Sequence, residues 1–261
     1  MNHEFIQVER DHGVAIVTLN RPDVLNSFNR GLARELQAAL ANAANDESVR
    51  AVLLIGSGRG FCAGQDLGEA LGAGTKADLG EIVKTVYTPI VRAIREMEKP
   101  VVCAVNGVAA GAGANLAFAC DIVIAAEDAS FIQSFSKIGL IPDTGGTFFL
   151  PRLVGAARAT ALMLLGEKLT ATKALEWGLI HDVVPGTVLR DTALALTRHL
   201  ATMPTRALAL TKKLLNASAS NALSEQLAME EEMQRQAGRT ADYAEGVSAF
   251  LQKRKPSYTG R

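Results

Sequence analysis

Asp143 stands in Ile138-Gly139-Leu140-Ile141-Pro142-Asp143-Thr144-Gly145-Gly146-Thr147, a lone carboxylate among aliphatic residues just before a helix start. Two readings fit such a residue. As an N-cap it accepts amides of the helix's first turn; as an acid/base it moves a proton to or from a bound molecule. Desolvation by Phe135, Ile138, Leu140 and Ile141 would raise its pKa and a helix N-terminus would lower it, so the sign of the shift stays open.

Two small-residue loops offer the complementary chemistry. Gly58-Arg59-Gly60-Phe61-Cys62-Ala63-Gly64-Gln65-Asp66-Leu67 follows the apolar run Ala51 to Ile55, and small residues there let a ligand approach the backbone. Asn106-Gly107-Val108-Ala109-Ala110-Gly111-Ala112-Gly113-Ala114-Asn115 leads into a helix whose first amides point outward. Free amides from two such loops can hold one carbonyl oxygen as it turns into an enolate, an effect of about 3 kcal/mol per donor. Close helix-strand packing is the plainer explanation of either loop.

Other chemistries are disfavoured. Gly111-Ala112-Gly113-Ala114-Asn115-Leu116 lacks the third glycine of a dinucleotide fingerprint. His3, His12, His181 and His199 lie outside these loops, and no serine occupies a Gly-x-Ser-x-Gly elbow, which speaks against triad hydrolysis and histidine metal sites. Cys62, Cys103 and Cys120 fit no metal-ligand spacing and read as reduced, buried thiols.

The elements that must position these residues alternate. Val14 to Leu19 and Ala51 to Ile55 read as strands, with Leu32, Leu36 and Leu40 at helical spacing between them. Pro89 to Met97 (helix), Val101 to Val105 (strand), Leu116 to Cys120 (helix) and Ile122 to Ala126 (strand) continue the order. A helix follows through Arg158 to Leu165, and Thr170 reads as the N-cap of a short helix closed by Gly178. From Val188 the pattern is helical: Leu208 to Leu215, Leu223 to Met233 and Tyr243 to Leu251. An α/β core over residues 1–187 is thus expected before a helical region over 188–261.

The chain has 261 residues, 48% of them hydrophobic, enough for a sizeable core. With 27 basic and 27 acidic residues it carries no field that steers it to nucleic acid or anionic membrane. Met1 to Arg10 lacks the apolar run of a signal peptide, and no stretch reaches about 18 uninterrupted apolar residues. A cytoplasmic enzyme acting on a small molecule is the expectation. The run Glu230-Glu231-Glu232 reads as a solvated helix face.

Taken in order, Phe61-Cys62-Ala63-Gly64-Gln65-Asp66-Leu67, Lys99-Pro100-Val101 through Asn106-Gly107, Cys120-Asp121-Ile122 and Ile141 through Gly146 resemble the crotonase, or enoyl-CoA hydratase/isomerase, superfamily. The likeness runs from Leu19-Asn20-Arg21-Pro22 and Leu25-Asn26 to Ala249-Phe250-Leu251-Gln252-Lys253-Arg254-Lys255. It implies a spiral of ββα units with a C-terminal helical trimerisation region, assembled as a trimer or dimer of trimers. It also implies an acyl-CoA substrate that brings its own coenzyme A, with no separate cofactor and no metal.

By the same resemblance the amides of Ala63 and Ala112 form the oxyanion hole, with Gly64 and Gly111 shaping the loops. The adenosine part of coenzyme A lies near Ala63 to Asp66, where Phe250 and Lys253 of a neighbouring subunit's C-terminal helix cover it; the Gly/Ala-rich stretch Leu67 to Asp78 is itself expected to line or cover the acyl site. Hydratases place glutamates where Asn115 and Phe135 stand, and neither of these can activate water or deliver a proton. Asp143 matches the place where one isomerase branch keeps a single acid, in a setting similar to ring-epoxide isomerases of phenylacetate breakdown. That implies conversion of ring-1,2-epoxyphenylacetyl-CoA to oxepin-CoA and the shift of a 3-enoyl-CoA to a 2-enoyl-CoA, with Asn115 as a non-titrating substrate contact. Aryl-CoA dehalogenases also keep an aspartate here, paired with a tryptophan and a histidine; Phe135 replaces the former, and no histidine lies between His12 and His181. Two further readings are an ordinary hydratase and a non-catalytic RNA-binding relative. The latter is weakened by a densest basic cluster no longer than Lys253-Arg254-Lys255.

Overall fold

The computed structural model describes residues 3–66, 68 and 78–261. The strands β2 (Val14–Leu19), β3 (Ala51–Gly56), β5 (Val101–Val105) and β7 (Ile122–Ala126) are apolar almost throughout, as strands covered on both faces must be. They pair in parallel in the order β2-β3-β5-β7. β1 (Ile6–Asp11), not evident among the charges of the N-terminus, adds antiparallel to β2 through the two-residue turn His12-Gly13, both at positive φ. β10 (Asp182–Val184) closes the other edge.

A second sheet consists of three-residue strands: β4 (Gly60–Cys62), β6 (Val108–Ala110), β8 (Ser130–Ile132) and β9 (Lys168–Thr170). Each turn of the chain therefore lays one strand in each sheet, β3 then β4, β5 then β6, β7 then β8, before a helix returns it. This is the spiral of ββα units that the resemblance implies, with helices following at the C-terminus.

The helices facing the core are α1 (Arg30–Asn45), capped by the Asn29 side chain on the Leu32 amide, and α2 (Thr88–Glu96). α3 (Ala112–Ala119) is buried along its whole length. α4 (Gly146–Val154) and α5 (Ala156–Leu165) form two helices where one was expected. α6 (Ala171–Glu176) is capped by Thr170 Oγ1 on the Lys173 amide. α7 (Leu189–Thr202) packs across β3, β5 and β7, so the first helix after the last strand belongs to the core. α8 (Thr205–Ser218), α9 (Leu223–Ala237) and α10 (Ala241–Leu251) complete the chain. None of the described helices is long and apolar enough to cross a membrane.

α8 is fastened by a charge cluster in which Lys212 is buried and Asp121 and Arg95 are partly so. Lys212 Nζ donates to Asp121 Oδ2 (2.7 Å) and to the Ile94 carbonyl (2.6 Å), and Arg95 Nη1 reaches Asp121 Oδ1 (3.1 Å). Several hydrogen bonds to each charge offset the loss of hydration.

The decisive contact for the site is between backbones. A Cβ on Gly113, in the first turn of α3, would lie 2.2 Å from the Cys62 carbonyl oxygen, so α3 sits directly on the loop after β4. That contact requires glycine. Gly113→Ala is expected to push the two apart and to lower the unfolding free energy by about 1–3 kcal/mol, measured as a denaturant midpoint shift; an unchanged midpoint contradicts this packing.

Candidate active site

Three segments meet: the loop after β4, the β6–α3 turn, and the loop carrying Asp143. The first two touch through their main chains. Gly64, at φ 91°, lies so close that a Cβ there would be 2.9 Å from the Ala110 carbonyl oxygen and 3.5 Å from the Ala112 amide nitrogen. Gly111 precedes α3, its amide donating to the Ile132 carbonyl (2.8 Å), and its hydrogen-side surface faces the ring of Phe135.

The first loop's amides correct one expectation. Ala63 N–H donates to the Leu25 carbonyl at 2.9 Å, which leaves it nothing for a ligand. Phe28 pairs with Gln65 in a parallel bridge: Phe28 N–H donates to the Gly64 carbonyl (2.7 Å), and Asp66 N–H donates to the Phe28 carbonyl (2.9 Å). In that arrangement the amide of Gln65 points away from Phe28, and it meets no acceptor among the described residues. Ala112 N–H, the first of α3, likewise has no acceptor among them, as the first turn of a helix dictates. Among the described residues, Gln65 and Ala112 thus each present a free N–H on these two loops. Sequence alone hid the first because β-bridge pairing with Phe28, thirty-seven positions upstream in the chain order of the strands, decides which amide faces out.

Asp66 is clamped from behind. Its Oδ2 accepts from Arg21 Nη2 (2.9 Å) and its Oδ1 from the Gly68 amide (3.1 Å), while Arg21 Nη1 also holds the Ser27 carbonyl (2.6 Å). Its carboxylate thereby shapes the loop. Leu67 and most of the expected acyl-site cover, residues 67–78, lie outside the described residues. Cys62 is packed behind the loop with its thiol pushed up to about 12 by burial, and Cys103 and Cys120 are buried and unpaired as well.

Asp143 is not an N-cap. Thr144 (φ 53°) and Gly145 (φ 77°) turn the chain between it and α4, whose N-cap Gly145 supplies no side chain. Its Oδ1 accepts from Thr144 Oγ1 at 2.8 Å. Burial raises the carboxyl above its ordinary value, against the smaller lowering effects of the Thr144 hydroxyl and of its own amide. The expected apolar wall is different in detail: Phe135 is buried, whereas Ile138, Leu140 and Ile141 are exposed, Ile141 at 82%.

Asn115, expected at the substrate, is wholly buried instead. Its Nδ2 donates to the Asp143 carbonyl (2.9 Å) and its Oδ1 accepts from Gln133 Nε2 (2.8 Å). A Cβ on Gly146 would lie 2.3 Å from that Nδ2, so the acid loop is pressed onto the carboxamide. Asn115 is therefore a structural clamp on Asp143.

Phe250 is 83% exposed on α10, beside a groove lined by Tyr243, Val247 and Leu251. Lys253, at φ 54°, ends that helix: its amide bonds the Phe250 carbonyl and the Arg254 amide the Ala249 carbonyl, a Schellman pattern. No group of three or more metal-binding side chains occurs among the described residues.

The enoyl-CoA hydratase/isomerase family model matches residues 9–261. A 1,2-epoxyphenylacetyl-CoA isomerase of Escherichia coli (strain K12) is 53% identical over 260 residues, 99% of this chain and 99% of its own length. A probable enoyl-CoA hydratase of Rhodobacter capsulatus is 47% identical over 261 residues, the full length of both. The solved enoyl-CoA hydratase from Bacillus anthracis superposes with a TM-score of 0.94 at 34% identity, covering 99% of this chain and 100% of its own.

A carboxyl whose folded pKa lies above its unfolded value binds more protons folded than unfolded between the two values. Its ionisation therefore costs stability, increasingly as pH rises from about 3.8 through the folded pKa, and constantly above that. Asp143→Asn removes this cost. The variant is expected to be more stable than the wild type at pH 7–8, with the advantage shrinking toward pH 4, by denaturant unfolding across that range; a variant less stable at pH 7–8 contradicts the burial argument.

Proposed function

The chain belongs to the enoyl-CoA hydratase/isomerase family, and from that premise we propose that it is an acyl-CoA isomerase in which Asp143 carries the proton. The observation that supports this most is the pairing of one half-buried carboxyl, raised in pKa, with a buried amide and a buried phenyl ring, Asn115 and Phe135, at the places where the resemblance puts hydratase glutamates. A base with a raised pKa is better matched to a weak carbon acid at neutral pH than an ordinary aspartate.

In the isomerisation of a 3-enoyl-CoA, Asp143 takes a proton from C2, which breaks that C–H bond and places a dienolate on the thioester. The amides of Gln65 and Ala112 hold the developing oxygen anion, each contributing about 3 kcal/mol. The proton then returns to C4, leaving the double bond between C2 and C3. Atoms balance and no water is consumed. Ring-1,2-epoxyphenylacetyl-CoA makes the same demand in going to the oxepin: the carbon–carbon bond shared by the epoxide and the ring opens, its electron pair joining the diene to make the seven-membered ring, and a proton leaves the α-carbon and returns to a ring carbon, with composition unchanged. The identity to the Escherichia coli isomerase supports this substrate and a place in phenylacetate catabolism. The Rhodobacter relative's name favours hydration as the second reading.

Coenzyme A enters with the substrate, and no separate cofactor takes part. We place the enzyme in the cytoplasm, without a nucleic-acid or membrane partner. Leu223, Leu227, Tyr243, Phe250 and Leu251 of α9 and α10 are exposed in one chain, and we read them as surface covered in a homotrimer or dimer of trimers, where Phe250 and Lys253 can reach a neighbour's coenzyme A. Light scattering is expected to give three or six chain masses; a stable monomer contradicts this.

Turnover of epoxyphenylacetyl, 3-enoyl, 2-enoyl and chlorobenzoyl thioesters tests the reaction. Isomerisation of the first two is expected, with a loss of at least about a hundredfold in Asp143→Asn. Activity of that variant within threefold of wild type, or rapid hydration of the 2-enoyl substrate, overturns the proposal.

A further inference from the structure

Thr144 combines two features that oppose each other. It is a β-branched residue at φ 53°, a region that glycine or asparagine occupies at much lower cost, and it is followed by Gly145, also left-handed. It is also 4% exposed, so its hydroxyl is out of contact with water. Backbone geometry would select glycine here; what only the threonine supplies is the hydroxyl, which donates to Asp143 Oδ1 at 2.8 Å. Strained conformations of this kind persist where the side chain does something the relaxed residue cannot.

The surroundings of the carboxyl make that bond selective. The Asp143 carbonyl is held separately by Asn115 Nδ2 and by the Gly146 amide (2.9 Å each), so the main chain is already fixed without the threonine. Oδ2 carries no hydrogen bond from any other described residue. Besides the residue's own amide, the Thr144 hydroxyl on Oδ1 is thus the donor that sets the rotation of the carboxylate, and Oδ2 is left without a donor from a neighbouring described residue.

We infer that Thr144 is a positioning residue for the proton transfer: its hydroxyl, held in place by a left-handed backbone, pins Oδ1 of Asp143 so that Oδ2 acts as the base. The inference rests on Asp143 being the acid/base. It adds that the threonine hydroxyl, and not the threonine methyl or the loop shape, is what the reaction requires. Such a donor also favours the ionised carboxylate, so its removal displaces the acid limb of the rate profile upward.

Three variants of the full chain separate these contributions, assayed as kcat and KM for a 3-enoyl-CoA across pH. Thr144→Ser keeps the hydroxyl and is expected within threefold of wild type, with the same acid limb. Thr144→Val keeps the shape and Thr144→Gly relaxes the backbone. Both are expected to lose about tenfold or more in kcat, with KM within threefold and the acid limb of kcat/KM about one pH unit higher. Thr144→Gly is further expected to melt no lower than the wild type, and it reads the hydroxyl's role even where the valine variant does not fold. Wild-type rates and pH dependence in the valine or glycine variant overturn the inference, as does a serine variant as impaired as valine. Asp143→Asn, run alongside, tells the two ideas apart: if it is inactive while Thr144→Val matches wild type, the threonine inference alone fails, and if it is active the Asp143 reading fails first.

Discussion

The hydrogen bond from Asn115 Nδ2 to the Asp143 carbonyl ties the proposed acid/base to the helix whose first amide, that of Ala112, is the proposed anion donor. Ala112 and Asn115 are one turn apart on α3, so the element that presents a free N–H at its first residue grips the carboxylate loop at its fourth. The remaining geometry follows from where α3 is held. Gly113 lets its backbone rest on Cys62, Gly64 lets the first loop pass against Ala110, and Gln133 closes the far side of the Asn115 carboxamide. A side chain at either glycine, or an ionised group at position 115, changes the distance between donor and acid before it changes anything else.

The same arrangement sets a tension between stability and reactivity. Removing a carboxyl from water raises its pKa and costs folding free energy whenever it is ionised. The protein offsets part of this with one hydroxyl and one amide and, among the described residues, no cation. Asp121 shows the contrast: it takes Lys212, Arg95 and the Val101 amide, and serves only to bind α8 to the core. Asp66, with Arg21 and Gly68, belongs with Asp121. Asp143, by contrast, has no cationic partner among the described residues, and burial raises its pKa.

Much of the larger sheet was legible because its central strands are apolar at nearly every position, and helix ends were legible where a side chain caps them, as at Asn29 and Thr170. The second sheet was not. Its strands are three residues long, too short for alternation to show, and their pairing is set by the spiral. The choice between the Ala63 and Gln65 amides was hidden for a related reason, since both have the same chemistry and only their pairing to Leu25 and Phe28 separates them. Asn115 was found as a position but not as a clamp, because its partners Gln133 and Asp143 lie eighteen and twenty-eight residues away. The N-cap reading of Asp143 failed on the left-handed pair Thr144-Gly145, a conformation that a threonine does not advertise.

The central claim is that one carboxylate moves one proton and that water takes no part. The most direct measurement follows deuterium at C2 of a 3-enoyl-CoA by NMR, in the wild type and in Asp143→Asn, with oxygen-18 water present. The account predicts loss of the label from C2 at the rate of turnover in the wild type, its appearance at C4 or in solvent, retention at C2 in the variant, and no oxygen-18 in the product. Equal loss from C2 in both proteins, or oxygen-18 in the acyl chain, contradicts it.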